Sequence, residues 1–126
     1  MRIISVFLLL LFSCSFQESN DRLIIGDWNG TERSIIYEVY KNDSLVFHEE
    51  KLTDHSRRMI FKKDSISMGI VKEEPIDTYT YSIDDKNLTI DGSVFEILQL
   101  DESLLKIKVI YSEYEHHIET YERSEN

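Results

Sequence analysis

Thr78-Tyr79-Thr80-Tyr81-Ser82-Ile83, then Asp84-Asp85-Lys86-Asn87, then Leu88-Thr89-Ile90-Asp91-Gly92: residues 78–92 carry the clearest structural signal in the chain. Tyr79, Tyr81 and Ile83 alternate with small or polar residues, which is the period of two expected of a strand with one face buried. The Asp/Asn-rich tetrad that follows is a turn, and Asp91-Gly92 is a strong short-hairpin signal. Two strands and two tight turns within so few residues predict antiparallel pairing of sequence neighbours.

The same grammar extends in both directions. Downstream, residues 94–100 form a strand whose apolar set changes face between Ile97 and Leu98, which predicts a bulge there. Asp101-Glu102-Ser103 turns the chain into residues 105–111, with Leu105, Ile107, Val109 and Tyr111 on one face, and a last strand spans about 115–123. Upstream, Arg58-Met59-Ile60-Phe61-Lys62 and Ser65-Ile66-Ser67-Met68-Gly69-Ile70 form a hairpin across Lys63-Asp64, and Lys72-Glu73-Glu74-Pro75 ends that pattern. Residues 34–40 are rich in β-branched and aromatic side chains and read as a strand after a turn at Asn29-Gly30. Lys41-Asn42-Asp43-Ser44 turns it into a short strand at residues 45–48, and residues 49–56 read as a loop or a single helical turn. Eight or nine short strands with no convincing helix predict an all-β fold, specifically a small antiparallel up-and-down β-barrel of about eight strands, whose closure removes exposed edges.

The first fourteen residues speak of location. Arg2 precedes an apolar run from Ile3 to Phe12, about half the length a bilayer-spanning helix needs. This is the pattern of a cleaved export signal. Leu11-Phe12-Ser13-Cys14 resembles the lipobox of bacterial lipoproteins. The resemblance implies a signal peptide over residues 1–13, lipidation of Cys14, and anchorage by three acyl chains, more than stable anchoring requires. Cys14 is the single cysteine, so an exported domain here has no disulfide and relies on its core. Ser15, rather than Asp, after that cysteine points to the outer membrane of a bacterial cell envelope. Residues 14–22 then read as lipidated cysteine plus flexible tether, and residues 23–126 as one domain.

Composition narrows the partners. With 14 Lys plus Arg against 24 Asp plus Glu, the formal net charge is −10, which excludes nucleic acid as a natural partner. The expected partners are the membrane, through Cys14, and either a small apolar or amphipathic ligand or an envelope protein.

Leu23-x-x-Gly26-Asp27-Trp28 at the domain entrance, Phe61-Lys62-Lys63-Asp64, Tyr79-Thr80-Tyr81-Ser82-Ile83 with Asn87-Leu88-Thr89-Ile90, Phe95-x-Ile97-x-x-Leu100 and the closing Tyr121-Glu122-Arg123 together resemble the small lipocalin-like domains of Bacteroidetes lipoproteins. The resemblance implies that Gly26 lets the first strand bend across the closed end of the barrel. It also implies that Trp28 plugs that end against Arg123 through a cation–π contact. The chain lacks the helix that follows the barrel in full-length lipocalins and their Thr-Asp-Tyr motif. Phe61, Met68, Tyr79, Tyr81 and Phe95 are the candidate inward residues. They line a shallow pocket at the mouth, or they are plain core in a filled barrel.

No catalytic or metal centre emerges. His116 and His117 are strand neighbours and point to opposite faces, and they read as surface histidines of an acidic sheet. Their one route to chemistry is a barrel interior in which either faces inward beside a carboxylate. His48-Glu49-Glu50 and Asp54-His55 lack convergent zinc-ligand spacing. Asp54-His55-Ser56 holds the residue types of a hydrolytic triad without an oxyanion-hole motif. There is no phosphate-binding glycine loop, no cofactor is expected, and the domain reads as non-enzymatic.

Overall fold

The computed structural model describes residues 19–71, 73–75 and 77–124, so Cys14 and the export segment lie outside the described residues. A helical turn, α1 (Asn20–Leu23), leads into nine strands: β1 (Gly26–Lys41), β2 (Ser44–Thr53), β3 (Arg57–Phe61), β4 (Ser65–Ile70), β5 (Asp77–Asp84), β6 (Asn87–Ile90), β7 (Ser93–Leu100), β8 (Leu104–Ser112) and β9 (Glu115–Arg123). All pairings are antiparallel. The sheet order is β2-β1-β3-β4-β5-β6-β7-β8-β9, and an additional β1–β9 pairing closes eight strands into a barrel.

Turn chemistry sets the registers. Asn42 and Asp43 both have positive φ, as do Asp91 and Gly92, and each pair is the two-residue loop of a hairpin whose primed turn matches strand twist. The predicted bulge appears as a register shift between Ile97 and Gln99. Two expectations are corrected. Asn29-Gly30 does not turn the chain: β1 runs straight through it and absorbs the irregularity as a register shift between Gly30 and Glu32 against β9. Of residues 49–56, only 54–56 form a loop, because β2 continues to Thr53, paired residue by residue with β1. Asn20, Asp21 and Arg22, expected in a flexible tether, belong to α1, where Asn20 Nδ2 donates to the Asp85 carbonyl at 2.9 Å.

The core occupies the end of the barrel nearest α1. Ile24, Trp28, Met59, Phe61, Ile66, Leu88, Ile90, Ile97, Leu105, Ile107 and Tyr121 are buried there, with Met68, Tyr79, Tyr81, Ile83, Phe95 and Leu100 packed around them. The opposite end is different. The N-terminal part of β1 pairs with β3, whereas residues 32–41 pair with β2, so β1, β2, β8 and β9 rise past the barrel as a flap. All ten residues of β2 are exposed.

Candidate functional site

Three constellations follow from this framework: a plug at the closed end, a polar layer above the core, and the flap.

At the closed end Arg123 lies over Trp28, with its guanidinium carbon 4.2 Å from the ring centroid, within cation–π range. The same guanidinium donates to the carbonyl oxygens of Glu102 (2.6 Å), Ile25 (2.7 Å) and Leu23. Trp28 is fully buried and its Nε1 donates to the Ile24 carbonyl at 2.7 Å. Gly26, at φ +142°, occupies backbone space that favours glycine, and a Cβ there would fall on the Arg123 Nη1. Gly26, Trp28 and Arg123 thus form one unit that ties α1 and the last strand to the barrel floor.

Among the described residues, the five candidate ligand-lining residues pack into or against the core. Phe61 is buried and meets Tyr81 edge-on at 5.1 Å, and the Tyr81 hydroxyl donates to the Lys62 carbonyl. Met68, Tyr79 and Phe95 pack against the buried cluster. Of two recesses of about 480 and 510 Å³, the first touches one of the five, Tyr81, beside Lys63 and Ile83 at the closed end, and the second lies beside His55, Val71 and Arg123, away from all five.

The layer above the core is polar. Directly paired residues share a face, and Ile107↔Glu119, Val109↔His117, Arg33↔Glu119 and Ile35↔His117 place Arg33, Glu119 and His117 on the interior side. Here an expectation fails: His117 is 7% exposed, not a surface residue. Its Nε2 lies 3.0 Å from Glu115, and the Tyr111 ring is 4.1 Å away. His116 faces the other way, and burial, with Lys108 and His117 nearby, lowers its pKa. Arg57 Nη1 pairs with Glu119, which also accepts from the Tyr121 hydroxyl. Burial works against the Arg57 charge, but Glu119 outweighs it and raises the pKa; burial and then Glu119 push the Tyr121 hydroxyl up. Asp54 holds Arg57 at 3.3 Å and Arg33 at 3.7 Å, and binds Ser56 Oγ at 2.7 Å. Its carboxylate is therefore engaged in charge pairing and a local turn, not in a triad with His55. The roughly 140 Å³ of space between Arg33, Asp54, Arg57, Glu119 and Tyr121 is too narrow for a water molecule. Arg33 Nε and Nη2 and His117 Nδ1 are buried without a hydrogen-bond partner among the described residues. No group of three metal-ligating side chains occurs among the described residues.

This layer was missed in the sequence because its members sit on three separate strands, β1, β3 and β9, and in the loop between β2 and β3. The available signal was Glu115, His117, Glu119 and Tyr121 at a spacing of two, a polar stripe on one face of the last strand.

The flap carries large apolar side chains into solvent. Glu38↔Phe47, Tyr40↔Leu45 and Ile110↔His116 put Tyr40, Leu45, Phe47 and Ile110 on its outer face. Tyr40 is 80%, Phe47 69% and Ile110 67% exposed. Tyr114, also exposed, sits in the β8–β9 turn, and its carbonyl accepts from the Glu38 N–H at 2.9 Å.

A closed, antiparallel, eight-stranded barrel with a tryptophan-plugged floor defines a lipocalin-like fold. Among solved structures, the chain is similar to a lipocalin-like protein from Bacteroides uniformis ATCC 8492, at 17% sequence identity and a TM-score of 0.50, over 81% of this chain and 99% of that one. The likeness is one of fold. No family model matches the sequence, and no curated protein does.

Proposed function

We propose that this chain is a lipid-anchored envelope protein that works without catalysis, a filled lipocalin-like barrel whose flap docks onto an envelope protein. The observation carrying this reading is the concentration of exposed large apolar residues on the flap, Tyr40, Phe47, Ile110 and Tyr114, above an interior closed by core and polar layer. A soluble domain gains nothing from such a surface unless something covers it.

Geometry agrees with an anchor at the other end. Only five residues lie between Cys14 and Asn20, so the six Cα–Cα steps reach at most about 20 Å, and α1 sits at the closed end. β1 alone carries the chain about 50 Å from Gly26 to Lys41. With Cys14 acylated in the outer membrane, the flap points away from the lipid surface and toward other proteins.

Photo-crosslinking in intact envelopes tests the reading, with the probe at Phe47 or Tyr114 and, as control, at Lys63 near the closed end. A discrete adduct from the flap positions alone supports docking, and equal or absent labelling at all three sinks it. A small amphipathic ligand is the second reading, favoured by the buried Arg33 Nε and Nη2 and His117 Nδ1, which have no hydrogen-bond partner among the described residues; a reproducible small-mass adduct in native mass spectrometry would establish it.

A further inference from the structure

We infer that the outer edge of β2 is a strand-addition site, and that its occupant is an extended, basic segment of a partner protein. The inference rests on the docking reading and says which part of the flap makes the backbone contact.

Among the described residues, β2 pairs with β1 and with nothing else. Its ten pairings run from Lys41↔Ser44 to Glu32↔Thr53 without a register shift. It contains no proline and no bulge, two of the usual devices that blunt an edge. The Asn42-Asp43 turn fixes which backbone groups are free. Lys41↔Ser44, which closes a two-residue loop with both φ positive, is a hydrogen-bonded pair. In an antiparallel ladder such pairs alternate with non-bonded ones. Ser44, Val46, His48, Glu50 and Leu52 therefore turn their N–H and C=O groups toward β1. Leu45, Phe47, Glu49, Lys51 and Thr53 turn theirs outward, a free ladder of five donors and five acceptors.

Side chains specify what can add there. Near the hairpin tip an incoming strand meets Leu45 and Phe47 on the outer face and Val46 on the inner. Further along it meets Glu49 outside and Glu50 inside, with Glu38 on β1 behind Phe47. A segment with apolar residues at one end and lysine or arginine at the other is complementary, and the net charge of −10 steers it in. A second copy of this chain fits poorly. Antiparallel self-pairing over the length of β2 sets Glu49 opposite Glu49, or both carboxylates opposite Phe47 and Val46, between two chains of equal negative charge. Strand addition takes affinity from main-chain bonds and specificity from alternate side chains, and both are laid out on this edge.

The test uses the full-length protein in mild detergent and three blocked peptides as long as β2: one with valines in the half that meets Leu45 and Phe47 and lysines in the half that meets Glu49 and Glu50, the same peptide with glutamate in place of lysine, and the lysine peptide N-methylated at every second residue. The expected result is binding of the first peptide alone, with new amide-exchange protection confined to Leu45, Phe47, Glu49, Lys51 and Thr53. Glu49→Pro, which removes an outward N–H while leaving the β1 ladder intact, weakens that binding at least about tenfold, whereas Thr53→Ala leaves it within about twofold. Undiminished binding of the N-methylated peptide, or protection outside those five amides, overturns the proposal. So does protection that rises with protein concentration without peptide, since the edge would then belong to a second copy. If flap crosslinks in envelopes persist at full yield in Glu49→Pro, docking stands and the edge assignment falls; if wild-type flap crosslinks are absent, docking itself falls.

Discussion

Replacing Gly26 by alanine probes the closed end more sharply than removing any one contact there. The residue sits at φ +142°, where an L side chain is strained by about 1–3 kcal/mol. The added Cβ also falls on the Arg123 Nη1, so the guanidinium must leave the position from which it binds the Leu23, Ile25 and Glu102 carbonyls and covers Trp28. Only the Leu23 bond is partly buried. One charge-assisted bond at about 1.5–3 kcal/mol, plus a cation–π contact at about 0.5–1 kcal/mol, puts Arg123→Ala at about 2–4 kcal/mol, with the two exposed carbonyls returning to water. Gly26→Ala should then cost about 3–7 kcal/mol in denaturant unfolding, strain and displacement together. In an Arg123→Ala background the displacement has already happened, so the same change should cost only the strain. A double-mutant cycle should return a coupling of about 2–4 kcal/mol, the shared displacement. Strictly additive losses would mean that Gly26 is present for backbone conformation alone.

Other expectations follow from the same contacts. Trp28→Ala should lose about 3–5 kcal/mol, as truncation of a fully buried large aromatic does; a loss near zero would contradict its burial. In the polar layer, Arg33→Met should cost little, because the Arg33 side chain makes no hydrogen bond among the described residues and faces Asp54 only at 3.7 Å, whereas Arg57→Met should cost about 3–5 kcal/mol by leaving the buried Glu119 without its cation and Asp54 without its nearer one; equal losses would refute that division. Asp101 accepts from the Ser103 and Leu104 backbone N–H groups and from Gln99, and the Ser103 bond leads in holding its pKa at about 2 against an ordinary 3.8. A depressed pKa contributes stability that is present above about pH 3.8 and is lost as pH falls toward 2. Asp101→Asn should therefore flatten unfolding free energy against pH in that window, and an unchanged slope would refute the assignment. Metabolic labelling with a fatty-acid probe should mark the wild type and leave Cys14→Ala unlabelled; a label retained in the variant would place acylation elsewhere.

How much of this was legible beforehand depends on the range of the interaction that fixes each feature. Period-two alternation and primed-turn residues act over a few positions, so the strands at residues 65–70, 78–83, 88–90 and 105–111 and the bulge after Ile97 could be read directly. Asn29-Gly30 carries the same local signature and misled, because β1 is held on both edges by strands far away in sequence, and that pairing absorbs the irregularity as a bulge instead of a turn. β2 was under-read for a related reason: Glu49, Glu50 and Lys51 have poor strand propensity, and only their register against residues 34–36 keeps them extended. His117 is the most instructive failure. One histidine of an adjacent pair must face inward once the strand is placed in a barrel, but which one depends on the parity of the β8–β9 register, and the shift between Ile110 and Ser112 alters that parity within the strand pair itself. The polar layer is thus a property of closure. Arg33, Arg57, Glu119 and Tyr121 meet only because β1, β3 and β9 become neighbours when the sheet curls shut, and no spacing along the chain encodes it. The flap is the other product of closure. Eight strands of unequal length cannot all end at one rim, and the longest, β1, carries β2 with its free edge out beyond it.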